Sequence, residues 1–187
     1  MDYKFSGGDV HFDLMRDHAK TFPEVADAER YRSARLWYCK LKTVKGIDAL
    51  CNLEVLVIAG YPDASLDNLI GLRKLRYLSI IDLPKVSSLS ALAQLQNIED
   101  LSLATLPSWD SKSRITTVDS LAPIVELPNI SHLELLGVCP PERSPGLLTK
   151  CGALKSARFS KYDPAAVQNF YLETSVENKS VPDPVFY

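Results

Sequence analysis

Asp100, Ser102 and His132 are the residue types of a nucleophilic relay: a carboxylate to orient an imidazole, an imidazole to take a proton, a hydroxyl to attack. In the repeat alignment below, Asp100 and His132 hold equivalent places on neighbouring strands and Ser102 lies two residues along, which makes a small hydrolase the enzymatic reading. Alternate residues on a strand stand about 6 to 7 Å apart. With no evident oxyanion hole or substrate pocket, no catalytic residue is assigned. Cys39, Cys51, Cys139 and Cys151 lack any CxxC spacing, and their two equal separations read as buried free thiols. With three scattered histidines, no metal site is expected. Eight glycines without a phosphate-cradling loop, and no HExxH or GxSxG motif, leave no cofactor expected.

The elements that would position such residues come from an internal repeat. From anchors at Leu53, Leu75, Ile98, Ile130 and Leu154, steps of three backward and of three and two forward meet apolar residues almost without exception. One unit reads Leu66, Leu69, Leu72, Leu75, Leu78, Ile80, and the next reads Leu89, Leu92, Leu95, Ile98, Leu101, Leu103. Over six units, from Phe22 to a weaker copy ending at Phe159, 35 of 36 positions are apolar, where a composition of 46% supplies about 17 by chance. Steps of three match a 3₁₀ or short irregular helical segment, in which residues i and i+3 eclipse. The closing step of two is the alternation of a strand with one face buried. A unit of 22 or 23 residues built this way cannot bury its apolar side alone and must stack, placing the strands in one parallel sheet.

Segments such as LRKLRYLSI and LQNIEDLSL resemble leucine-rich repeats, and the period resembles the short subclass with 3₁₀ convex segments, over residues 22–162. The resemblance implies an α/β solenoid with parallel strands on its concave face and short helical segments on its convex face. The ninth position of each unit, usually Asn or Cys in that family, is here Cys39, Tyr61, Leu83, Leu106, Val138 and Tyr162, so irregular turns are expected after the strands.

A solenoid needs different chemistry at its ends. Residues 1–21 read as an N-terminal cap: a small hairpin from Tyr3 and Phe5 through Ser6-Gly7-Gly8-Asp9 to Val10 and Phe12, then a helical turn around Leu14 to Ala19. Asp163-Pro164 is a helix-start signal and predicts a capping helix over about 164–172, within a closing region of 163–187. The remaining tail reads as extended, with Val185, Phe186 and Tyr187 able to pack back onto the body. The fourth unit carries about ten extra residues, 109–118, expected to leave the solenoid as a loop.

Residues between the buried strand positions form the exposed concave face. Arg35, Val57, Glu134 and Arg158 lie in one row, Tyr77, Asp100 and His132 in a second, and Trp37, Ile81 and Leu136 in a third that is mostly apolar. An apolar stripe bordered by polar side chains is what a protein-binding surface presents, with Trp37 and Tyr77 as aromatic anchors. The competing reading is that the caps or tail cover part of this stripe. Trp109 and Arg114 in the inserted loop are a second contact candidate. Charge on the face is segregated: Arg32 and Arg35, then Asp82, Glu99, Asp100 and Glu134, then Lys155, Arg158 and Lys161.

Against 23 Asp and Glu, 21 Lys and Arg leave a net charge of −2 over 187 residues, without the cationic surplus of a nucleic-acid binder. No apolar run approaches the roughly 18 to 20 residues of a membrane span, and the first residues do not read as a signal peptide. The expectation is a cytoplasmic monomer that binds another protein without turnover, as an adaptor, inhibitor or immunity-type regulator. A purely structural module is the bland alternative.

Overall fold

A computed structural model of the protein describes residues 10–106 and 114–187. The main strands are β1 (His11–Met15), β2 (Ser33–Trp37), β3 (Val55–Ala59), β4 (Tyr77–Ile81) and β5 (Asp100–Ala104). After these come β6 (Thr116–Thr117), β7 (His132–Leu136), β8 (Val138–Cys139), β9 (Ser156–Ser160) and β10 (Glu177–Asn178). Eight of them form one sheet in the order β1-β2-β3-β4-β5-β7-β9-β10, and every pairing is parallel. Between strands the convex side carries 3₁₀ segments at Ala28–Arg30, Ile47–Ala49, Asp67–Leu69, Ser90–Gln94 and Gly146–Lys150, and one turn of α-helix, α1, at Ala122–Val125.

The repeat positions are the core. Leu66, Leu69, Leu72, Leu75, Leu78 and Ile80 are all fully buried, as are Leu50, Leu53 and Leu56 in the preceding unit and Ile98, Leu101 and Leu103 in the following one. At about 1.5 to 3 kcal/mol for each fully buried Leu or Ile, these columns are the main source of stability.

Two backbone devices replace the missing asparagine ladder. Arg16, Tyr38, Gly60, Asp82, Gly137 and Lys161, each one residue past a strand, adopt the left-handed conformation, with φ between 48° and 84°. The amides of the first five bond across rungs, as in Tyr38 N–H to the Ala59 carbonyl (2.9 Å) and Gly60 N–H to the Ile81 carbonyl (2.7 Å). After β1 to β4, β7 and β9 the turns therefore begin alike, contrary to expectation, because a repeated backbone twist does what a side-chain amide does elsewhere; after β5 Thr105 lacks this twist, and residues 107–113 lie outside the described residues. Asparagines do form a ladder at another place, just before the anchor residue. Asn52, Asn97 and Asn129 donate to the carbonyls of Glu29 (2.6 Å), Arg73 (2.7 Å) and Gln96 (3.0 Å) in the unit before.

The first arm and turn of the expected hairpin, residues 3–9, lie outside the described residues. The helical turn expected from Leu14 is replaced by a strand: His11–Met15 is parallel and in repeat register, with Phe12 opposite Ala34 and Leu14 opposite Leu36. It is one more rung. At the other end, α2 (Pro164–Glu173) starts where Asp163 accepts a hydrogen bond from Ala166 N–H (2.8 Å). It lays Phe170 on Phe159, ring centroids 5.3 Å apart, and the Tyr171 hydroxyl donates to the Ala157 carbonyl (2.8 Å).

Of the insertion, Trp109 and the rest of 107–113 lie outside the described residues. Its later part stays with the solenoid: β6 pairs with β8 as a second, two-stranded sheet, and Val118 is fully buried.

Candidate interaction surface

Strand register brings the concave side chains into three rows. The first runs His11, Ser33, Val55, Tyr77, Asp100, His132, Ser156. The second contains Asp13, Arg35, Val57, Ser79, Ser102, Glu134 and Arg158. The third contains Met15, Trp37, Ala59, Ile81, Ala104 and Leu136.

Part of this face is occupied by the chain itself. After β10, residues 180–187 run back across the sheet as a strap. Arg158 donates to the Ser180 hydroxyl (3.0 Å), Val181 packs beside Tyr77, and the Phe186 ring meets His11 with centroids 4.7 Å apart. At the far end Tyr187 N–H donates to the Ser33 hydroxyl (3.1 Å) and its phenol donates to Glu54 (3.2 Å), while the Arg32 guanidinium sits 4.7 Å from the ring centroid. Val181 and Phe186, with Val55, Val57 and Tyr77, make a second small core on the opposite side of the sheet from the leucine columns, flanked by Trp37 and Tyr187. Val57 and Tyr77 are thus buried under the strap and are not open contact residues as expected. Val181 and Phe186 anchor the strap by apolar burial, at about 1.5 to 3 kcal/mol each, against the conformational entropy lost in ordering eight residues.

Arg35 is also not an open contact. It is buried and grips Asp13 with two hydrogen bonds (3.0 and 2.7 Å). The expected segregation of charge resolves into cross-strand pairs of this kind: Arg32 with Glu54 (2.9 Å), Arg76 with Glu99 (2.7 Å) and Arg158 with Glu134 (3.5 Å). Each partner lies one rung away, a step of 22 to 24 residues. Extending the repeat one step back from Arg35, Ala34 and Leu36 finds Asp13, Phe12 and Leu14, a signal present in the sequence.

The three relay residues are not joined by hydrogen bonds. The Ser102 hydroxyl donates to Glu134 (3.1 Å), and His132 Nδ1 lies 2.8 Å from the Ser156 hydroxyl. Asp100 Oδ1 is buried with no hydrogen-bond partner among the described residues, and burial raises the Asp100 carboxyl above its ordinary value. Only two of the four thiols, Cys139 and Cys151, are buried; Cys51 is exposed. Burial pushes Cys151 up to about 11, which leaves it a poor nucleophile.

The third row remains partly open. Ile81, Ala104 and Leu136, with Ser79, Glu134, Arg158 and strap residues 181–184, line a cleft of about 640 Å³. Beyond the buried Ala59, the row continues to half-buried Trp37, exposed Met15 (51%) and its neighbour Tyr38 (42%). Arg114 is exposed at the edge of the insertion, where its carbonyl accepts from Thr105 (3.4 Å), itself a wall of the cleft.

The His11 imidazole is held below its ordinary value chiefly by burial, with Arg35 acting in the same direction and Asp13 opposing. The folded chain therefore disfavours the charged ring. Stability is full above the ordinary imidazole value of 6.5 and declines as pH falls below it. Melting temperature followed from pH 8 to pH 5 is expected to drop, and His11→Gln to flatten that drop. An unchanged slope in the variant would assign the acid sensitivity to another group.

Parallel rungs, 3₁₀ convex segments and buried leucine columns make this a leucine-rich-repeat solenoid. Among solved structures, the chain is similar to internalin C2 from Listeria monocytogenes, with TM-score 0.51 and 21% identity over 71% of this chain and 53% of that one. A second internalin from the same bacterium aligns with TM-score 0.42 and 16% identity, over 89% of this chain and 54% of that one. The chain spans about half the length of these two internalins, and at such identity the first shares the fold alone. No protein-family model and no curated protein matches the chain.

Proposed function

We propose that the chain is a non-catalytic protein-interaction module, a cytoplasmic monomer that engages a protein partner through the third concave row and the adjoining insertion. The observation that carries this is the cleft over Ile81, Ala104 and Leu136, which the strap leaves open and which Glu134 and Arg158 border. An apolar floor with a charged rim is the composition of a recognition surface. The insertion adjoins it through Thr105 and Arg114, which supports Arg114 as a second contact; Trp109, the other candidate in the insertion, lies outside the described residues. Occupation of a partner, as an adaptor or inhibitor does, needs no turnover, and the free thiols are in keeping with a reducing compartment.

A photo-crosslinking residue placed at Leu136, compared with one at the exposed convex Lys150, tests the reading in host lysate. The expected result is one discrete adduct from position 136 that Ile81→Arg abolishes, with none from position 150. No adduct at 136, or the same adducts from both positions, would refute it.

A further inference from the structure

We propose that the concave groove over β1–β4 is a receptor for extended, proline-containing peptide segments, and that residues 180–187 occupy it in cis as an exchangeable ligand. This rests on the reading of the concave face as an interaction surface and names the partner's chemistry. The groove takes a segment with two apolar anchors five positions apart, followed by a residue whose phenol reaches Glu54.

The strap is seated as a ligand rather than as a strand. The backbone of residues 180–187 makes no backbone hydrogen bond with the sheet. Contacts run instead through side chains and the Tyr187 amide. Pro182 and Pro184 lack amide donors and favour an extended, internally unbonded conformation, which lowers the entropy lost on docking. Val181 and Phe186 point in, while Val185 between them stays 69% exposed, so the anchors are read individually. What they cover is separate from the leucine columns: among the described residues Val55, Val57 and Tyr77 cluster with Val181 and Phe186, with Trp37 and Tyr187 packed against them, while the leucine columns fill the other side of the sheet. The groove also carries polar recognition. Ser33, fully buried, receives the Tyr187 amide, and Arg32 and Glu54 clasp the ring and the phenol. A segment of another protein with the pattern Val-Pro-x-Pro-x-Phe-Tyr meets the same groups once the strap leaves.

Occupation in cis lowers apparent affinity for a competitor by the fraction of molecules in which the groove is open. The probe is a fluorescent peptide, SVPDPVFY, titrated by anisotropy against the full chain and against the full-length Val181→Asp, Phe186→Asp variant, with folding checked by circular dichroism. The variant is expected to bind the peptide roughly tenfold or more tighter than wild type, a peptide with Asp in place of its Phe is expected not to bind, and Glu54→Gln in the loosened chain is expected to weaken binding several-fold. Equal binding by both chains, or none by a folded variant, overturns the proposal. So does loss of the fold in both this variant and the milder Phe186→Ala, since a segment the core cannot lose is not an exchangeable ligand. Sedimentation of wild type as a dimer that Phe186→Ala dissolves would overturn occupancy in cis by placing the strap on a second copy. An adduct from position 136 without peptide binding removes this inference and leaves the interaction surface standing; the reverse result separates them the other way.

Discussion

Gly137→Ala is expected to destabilise the fold by about 2 to 4 kcal/mol, far more than a surface alanine substitution elsewhere. Two costs coincide there. The residue has φ of 75°, where an alanine loses about 1 kcal/mol or a little more through the crowding of its Cβ. That Cβ would also lie 2.4 Å from the Thr105 hydroxyl and 3.2 Å from the Arg114 carbonyl. Thr105 cannot swing away freely, since its hydroxyl lies within bonding distance of the Leu136 and Arg114 carbonyls (3.3 and 3.4 Å). Gly60 isolates the conformational cost: its φ is 84°, but the nearest atom to an added Cβ is the edge of the Tyr38 ring at 3.7 Å. Gly60→Ala should therefore cost only about 1 kcal/mol. Urea melts of the two variants check the difference, and Thr105→Ala in the Gly137→Ala background should restore part of the loss. Equal costs at the two glycines would show that the neighbouring loop yields.

Phe170→Ala is expected to cost about 3 to 5 kcal/mol, the range for truncating a buried aromatic. Its effect should differ in kind from that of an internal leucine. Phe170 is 1% exposed and seals the last rung by packing on Phe159 and Tyr171. In a stack where each unit is stabilised by its neighbours, loss of a terminal cover lets water into one end and the array opens from there. The expected result is a shallower denaturant transition, with amide exchange accelerated in β9 and β10 before β3 and β4. Leu172, two residues on and 76% exposed, supplies the control, since Leu172→Ser should leave the transition unchanged. Uniform acceleration across all strands after Phe170→Ala would mean that the solenoid opens as a single unit.

The parts of the architecture visible in the sequence are those that depend on spacing. Leu66, Leu69, Leu72 and Leu75 declare a 3.0-residue turn, and Leu78 with Ile80 declares a strand, because burial acts on each position separately. The first rung carried the same strand signal in Phe12 and Leu14 but no regular helical half before it, so it reads as a cap unless the period is extended one unit. The repeat puts Arg35 on the right row, yet its burial against Asp13 is a property of two rungs, and a single-row reading takes both charges for solvent-facing groups. The strap has no period. Its apolar residues at 181 and 186 fit neither strand nor helix, and nothing in SVPDPVFY states which surface receives it; the competing reading lets the tail cover the apolar third row, whereas its anchors lie on Val55, Val57 and Tyr77.

The span of the strap's contacts in the sequence has a consequence for the order of folding. Sheet partners are separated by between 21 residues, Ser156 to Glu177, and 32 residues, Asp100 to His132. Tyr187, by contrast, reaches Ser33 over 154 residues and Glu54 over 133. Short closures allow rungs to form by spreading from neighbour to neighbour, whereas the long one has nothing to dock on until β1 to β4 already exist side by side. The strap's arrival is thus the last event of folding and its departure the first of unfolding, a slow closing phase whose amplitude should follow Phe186 while the earlier phases follow the leucine columns.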